Sequence, residues 1–390
     1  MEPRKVYLDN SATTQVDKKV LETMLPYFSE RYGNPNSLHA WGREARAAVD
    51  NARSQVASLI GAEPKDVIFT GGGSEADNLA IKGTAWALKD KGKHIITSCI
   101  EHHALLHTVE WLSKMGYEYT ILPVDKYGFV DPAELEKAIR PDTILTSIMF
   151  ANNEIGTVEP VAELGEVCRR HGVLFHTDGV QATGHVKIDM KELPVDMMSM
   201  AAHKMYGPKG VGGLYVRKGI KLNPVIHGGG QEFGLRAGTE NTPGIVGFGK
   251  AAEMAAERQA NGELEHEAML RDKLINGILE RIPDTRLTGH RAQRLPYHAS
   301  VCVKYIEGEG MLLLMDAAGI AVSSGSACTS GSLEASHVLL SIGLDAPTAH
   351  GSVRLTLSKD TTEEDIDYVL EQFPPIVQRL REMSPFYNKQ

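Results

Sequence analysis

Several stretches of this 390-residue chain combine residue type and spacing in ways that could do chemistry. TGGGSEADNLAIKG (70–83) sets a glycine-rich turn between an apolar run and a helical one, so backbone N–H groups and a helix dipole would converge on an anion. It has neither the Gly-Lys-Ser/Thr of a Walker loop nor GxGxxG spacing, and close packing of small residues is its other reading. HTDGVQATG (176–184) ends an apolar run at Asp178 and places Gln181 three residues on, where both could reach one bound ring. An aspartate that merely caps a turn is the alternative. In SMAAHKMYGPKGVGG (199–213), Lys204 lies just past a strand end and before a Gly/Pro bend, where an amine can enter a crevice and form an imine. Lys209 competes for that role.

IEHHAL (100–105) offers adjacent histidines at a strand-to-helix junction, one of which could lie on a flat ligand and move protons. Neighbours in sequence do not easily share one metal ion. VSSGSACTSGSLEASH (322–337) sets Cys328 among Ser, Gly and Thr, which reads as an exposed, mobile loop suited to a travelling nucleophile. Cys99, Cys168 and Cys302 lie in apolar patterns and read as small core residues. Arg354, embedded in GSVRLTLS (351–358), needs an anion: either a substrate carboxylate or an internal ion-pair partner. A phosphate cradle, a carboxylate to keep a ring nitrogen protonated and an imine-forming lysine are together what pyridoxal 5'-phosphate requires.

Elements must hold these residues in place. VIFT (67–70), HIITSCI (94–100), YTILPV (119–124), TILTSIMF (143–150), VLFHTD (173–178) and DMMSMAAHK (196–204) alternate with helical stretches, which predicts an α/β region with a largely parallel sheet. In such sheets ligands sit at the carboxyl ends of the strands. Ala45, Ala48, Val49, Ala52, Val56, Leu59 and Ile60 share one helical face, closed by Gly61. After Asn241 a helical region over 245–282 precedes strands near 286–289, 299–305, 320–324 and 352–357, an α+β pattern. The terminal TTEEDIDYVLEQF opens with a Thr-x-x-Glu capping box.

Composition narrows the function classes. The chain is 42% hydrophobic and 23% charged with a formal charge of -9, which supplies no basic field for nucleic acid. The absence of CxxC spacing argues against a structural zinc site or a disulfide framework. MEPRKVYLDNSATT lacks the apolar core of a signal peptide and no run has the length of a membrane span, so the expectation is a cytoplasmic protein without a membrane partner.

Taken in order, YLDNSATT (7–14), GNPNSLHAWGR (33–43), GGGSEADNLAIKG (71–83), EHHAL (101–105), NNEIGT (152–157), HTDGVQATG (176–184), AHKMYGPKG (202–210), GGGQEFGLRAGTENT (228–242), SSGSACTSGS (323–332) and SVRLTL (352–357) resemble the class V aminotransferase family. Within it they are similar to the cysteine desulfurases of the NifS/IscS group. The resemblance implies the type I fold of pyridoxal-phosphate enzymes, α/β, with a mostly parallel mixed sheet flanked by helices in a large domain (16–260). Residues 1–15 and 261–390 would form a smaller α+β domain carrying the cysteine loop at about 323–333.

By resemblance, Lys204 bears the cofactor, Asp178 meets its ring nitrogen, Gln181 its phenolic oxygen, and His102 stacks on the ring while His103 stands by. Gly73, Ser74 and His203 would hold the phosphate, with Thr239 reaching across a homodimer, and Arg354 with Asn153 the carboxylate of L-cysteine. Cys328 would take the sulfur as a persulfide and pass it to an acceptor or iron–sulfur scaffold protein; an exposed thiolate there could also ligate a transient cluster. Many members of the family carry a serine at the position of Ala201, so one phosphate hydrogen bond is expected to be missing. A selenocysteine lyase or an aminotransferase on the same fold is the rival implication.

Overall fold

Alternation along the short apolar runs decides where each side chain goes. The computed structural model describes residues 4–325, 335–384 and 387. After a two-residue strand β1 (Val6–Tyr7), seven strands form one sheet: β2 (Val67–Thr70), β3 (His94–Ser98), β4 (Glu118–Leu122), β5 (Thr143–Ser147), β6 (Leu174–Asp178), β7 (Met197–Ala201) and β8 (Gly212–Val216). Their order is β2-β8-β7-β6-β5-β3-β4, and the only antiparallel pairings within it are the two made by β8. Successive residues point to opposite faces, and both faces are covered. Thus Ile68, Ile95, Met197 and Leu214 join the apolar cluster under helices 73–87 and 103–113, while Phe69, Ile96, Met198 and Tyr215 join the one under helices 40–59, 161–171 and 242–260. Two of those helices approach closely because a Cβ at Gly249 would lie 2.5 Å from the Ala52 backbone.

The remaining strands are β9 (Thr285–Leu287), β10 (His298–Val303), β11 (Ile320–Ala321) and β12 (Ser352–Thr356). β12, β10 and β9 form an antiparallel sheet in that order, and β11 pairs in parallel with β1, so the amino-terminal segment is stitched to the carboxyl-terminal part. No helix among the described residues is long and apolar enough to cross a membrane.

Three sequence expectations are corrected. The apolar runs at 94–100, 119–124, 143–150 and 196–204 leave the ladder at Ser98, Leu122, Ser147 and Ala201, and beyond Ser98, Ser147 and Ala201 the chain turns toward the crevice lined by His102, Met149 and His203. The helical region over 245–282 is two helices, Thr242–Ala260 and Glu263–Arg281, broken where Gly262 takes a left-handed φ of 76°. The capping box of the last helix, Glu363–Met383, is Thr362 with Asp365, one residue later than the Thr-x-x-Glu pattern suggests. The Thr361 hydroxyl is instead occupied by the Ser358 N–H at 2.8 Å.

Candidate active site

At the carboxyl ends of β2, β6 and β7 lies a cavity of about 260 Å³. Gly73, Ser74, His102, Asn153, Asp178, Gln181, His203, Lys204 and Arg354 all line it. Lys209 is not among the lining residues, which separates it from Lys204. Thr239 is exposed and lies outside this cavity. Cys328 falls outside the described residues. Of the other thiols, Cys168 and Cys302 are buried and pushed up to about 12 by burial, whereas Cys99 is half-buried.

The strand ends account for the placement of each group. Asp178 is the last residue of β6; its Oδ1 accepts from the Val180 N–H at 2.9 Å. Burial pushes its pKa up to about 6, against the pull of that N–H and of the Lys204 ammonium. Beyond β7 one short 3-10 turn, Ala202–Lys204, delivers Lys204, whose Nζ donates to the carbonyls of Ser11 (2.6 Å) and Ala12 (2.8 Å). His102 is the N-cap of helix His103–Ser113: its Nδ1 accepts from the Ala104 N–H at 3.1 Å, which leaves the proton on Nε2. Burial, then the charges of Lys204 and the neighbouring histidines, holds it down near 4, so the ring is neutral at physiological pH. His203 is likewise held near 4 by burial and by Lys204 and Lys209, with Nδ1 3.2 Å from the Thr13 hydroxyl.

Gln181 is fixed by Tyr297, whose hydroxyl donates to Oε1 at 2.5 Å, and by its own donation from Nε2 to the Ser11 carbonyl at 3.0 Å. One amide N–H remains for a ligand. Arg354, 2% exposed, has the internal ion-pair partner that its sequence context called for and also lines the cavity. Its Nη2 pairs with Asp9 at 3.0 Å and its Nη1 donates to the Asn153 carbonyl at 3.1 Å, while Nε is buried with no hydrogen-bond partner among the described residues.

Sequence reasoning missed part of the lining. Ser11 and Ala12 act through backbone carbonyls, which no side-chain pattern reveals. Asp77 had a signal: it is the acidic residue on the buried face of helix 73–87 that otherwise carries Ala76, Leu79, Ala80 and Ile81. It is 1% exposed with Oδ1 unpartnered among the described residues and 3.8 Å from His176 Nε2. Burial and the Asp178 charge raise its pKa well above the usual carboxylate range.

These features fit pyridoxal phosphate. Gly72 is the N-cap of helix 73–87 at φ 148°, without a side-chain cap, and a Cβ there would meet nothing within 4 Å; the first N–H groups of the helix therefore face open space for a phosphate. A Cβ at Gly73 would lie 2.6 Å from Val180 Cγ2, so only glycine lets the turn close against the ring-binding wall. Ala201 lines the same floor and supplies no hydroxyl.

Comparison with known proteins agrees with this chemistry. The family model described as aminotransferase class V matches residues 6–369. The chain is 55% identical over 391 residues to the cysteine desulfurase IscS of Methanosarcina thermophila, covering all of this chain and 96% of that protein. It is 54% identical to the cysteine desulfurase IscS of Clostridium botulinum, covering 99% and 97%. A solved NifS-like protein superposes with a TM-score of 0.91 at 40% identity, over 97% of this chain and all of the other. The chain belongs to the class V aminotransferase family, whose enzymes depend on pyridoxal phosphate.

Proposed function

We infer that this chain is a pyridoxal-phosphate-dependent cysteine desulfurase, converting L-cysteine and a thiol on Cys328 into L-alanine and a persulfide on Cys328. The observation that carries the reading is the convergence in one cavity of Lys204, Asp178 and the buried Arg354. When bound, pyridoxal phosphate supplies an aldehyde for the substrate amine and a sink for electrons released at its α-carbon.

The residues divide the remaining work. Gly73, Ser74 and His203 would hold the phosphate, Asp178 would keep the ring nitrogen protonated, and the second N–H of Gln181 would donate to the phenolic oxygen. Arg354 and Asn153, both lining the cavity, would hold the substrate carboxylate. Lys204 would carry the cofactor and serve as the base for the substrate α-proton, and neutral His102 would assist that proton transfer. Cys328, as thiolate, attacks the substrate sulfur; the carbon–sulfur bond breaks toward the β-carbon, which gains a proton, and the α-carbon regains the one it lost, giving L-alanine.

We further propose that the sulfur passes to an acceptor protein such as an iron–sulfur scaffold, in the cytoplasm, and that the enzyme works as a homodimer. Exposed Leu38, Trp41 and Phe233 lie on segments joined by the Arg46–Glu240 ion pair, beside Thr239, and a second copy covering them would receive Thr239 at its phosphate. The division into residues 16–260 and 1–15 with 261–390 belongs to the same proposal, supported by the pairing of β1 with β11.

The test measures sulfide and alanine released from L-cysteine with a thiol reductant, for the native chain and Cys328→Ala. Equal yields from the native protein, and neither product from a variant that keeps its bound chromophore, are expected. Native activity in the variant would replace this reading with a lyase or aminotransferase.

A further inference from the structure

The carbonyl oxygen of Asn153 accepts from three donors: Ser11 Oγ at 2.9 Å, His298 Nε2 at 3.0 Å and Arg354 Nη1 at 3.1 Å. They come from the amino-terminal segment, β10 and β12, so one atom of the 152–157 turn ties together three distant parts of the chain. Within itself the turn is stiff. Asn152 Oδ1 accepts from the N–H groups of Glu154 (2.8 Å) and Ile155 (3.0 Å), and its Nδ2 donates to the Ile100 carbonyl at 2.8 Å.

His298 sets how this stiff turn meets the small sheet. It is fully buried and does not line the cavity. A carbonyl only accepts, so the His298 proton sits on Nε2; Nδ1 has no hydrogen-bond partner among the described residues. Gly156, at φ 76°, brings the turn flush against the imidazole: a Cβ there would lie 2.7 Å from Nδ1. Burial, followed by the charges of Arg294 and Arg354, keeps the ring neutral, so it remains a single fixed donor.

We propose that His298 is a positioning residue for substrate binding: its hydrogen bond to the Asn153 carbonyl fixes the peptide that aims the Asn153 side chain and seats Arg354 at the cavity wall. This rests on the reading that Arg354 and Asn153 hold the substrate carboxylate. A neutral donor on β10 then controls affinity for a carboxylate it never touches, through the atom that β12 also grips.

The test uses the cofactor-loaded enzyme and equilibrium binding of L-alanine, followed by the visible absorption of the bound cofactor. Cysteamine, an amine without the carboxylate, serves as control. His298→Leu removes the donor and is expected to weaken L-alanine binding roughly tenfold, the scale of one lost hydrogen bond in a charged site, while cysteamine binding stays at the native value. His298→Gln, which can still donate, should recover most of the affinity, and the L-cysteine KM should rise without a matching fall in kcat. Should His298→Leu fail to fold, His298→Asn, whose shorter donor cannot reach the carbonyl, is expected to show the same selective weakening. Native affinity for L-alanine in these variants, with Arg354→Ala weakened, overturns the positioning role alone. Native affinity in Arg354→Ala as well overturns the carboxylate reading beneath it.

Discussion

The floor of the cavity and its substrate wall are built by different means. On the floor, Asp178, Lys204 and the Gly72–Gly73 turn each stand at the end of one strand of one sheet, so neighbouring ladder pairs fix their spacing. On the wall, Arg354 meets Asp9 across 345 residues of sequence, and Asn153 meets His298 across 145. The floor's backbone positions are set within one sheet, with only the Lys204 amine reaching across to Ser11 and Ala12, whereas the wall depends for its contacts on two parts of the chain staying together. Cofactor binding should therefore be robust, and substrate affinity should be the quantity that distant substitutions move.

The strongest test of that contrast is to remove the amine proposed to anchor the cofactor. Lys204→Ala is expected to lose the visible band of lysine-bound cofactor and to lower turnover by on the order of 10³-fold or more, since both the attachment point and the proton shuttle go. Absorption spectra and sulfide release check it; substantial turnover in the variant would mean that another amine, Lys209 being the nearest in sequence, bears the cofactor.

A smaller effect is expected at the wall. Arg354→Lys keeps the charge but replaces the planar fork, whose two terminal nitrogens reach Asp9 and Asn153 separately, with a single point charge. KM for L-cysteine should rise by about 10- to 100-fold, as for a lost charge-assisted hydrogen bond, with the cofactor spectrum unchanged. A fall in kcat with native KM would assign Arg354 to the chemistry rather than to binding, and the floor–wall distinction would fail.

What could be read from the sequence follows the same line. Asp178, Lys204 and Gly73 were legible because a strand end plus a polar residue is a local signal. Arg354 was legible only as a choice between substrate and ion pair, since its partner Asp9 lies at the other end of the chain. Ser11, Tyr297 and His298 were not legible as site components: one acts through its carbonyl and hydroxyl, and the others are buried groups whose target is a distant backbone or amide. The shift of the capping box from Thr361 to Thr362 has a similar origin, because two adjacent threonines offer the same local pattern and the preceding turn decides between them.

The smallest expected effect concerns the layer beneath the floor and is read in stability rather than activity. Glu101 is 1% exposed; its Oε1 accepts from Ser98 Oγ (2.5 Å) and the Met149 N–H (3.0 Å), while Oε2 is unpartnered among the described residues. Burial pushes its pKa up to about 8 from an ordinary 4.5. The folded state therefore holds a proton that the unfolded chain releases above pH 4.5, and folding stability contributed by this group falls as pH rises toward 8. Glu101→Gln keeps the shape and the two accepted hydrogen bonds but cannot ionise. Its melting temperature should fall less than that of the native protein between pH 5 and pH 8, and the two proteins should converge below pH 4.5. Buried Glu154 and Glu267, both pushed up to about 7, titrate in the same direction in both proteins, so the difference between the two curves isolates Glu101. Parallel curves over that range would mean that Glu101 is ionised in the folded protein, and that the layer under the floor carries a negative charge with no cation among the described residues to balance it.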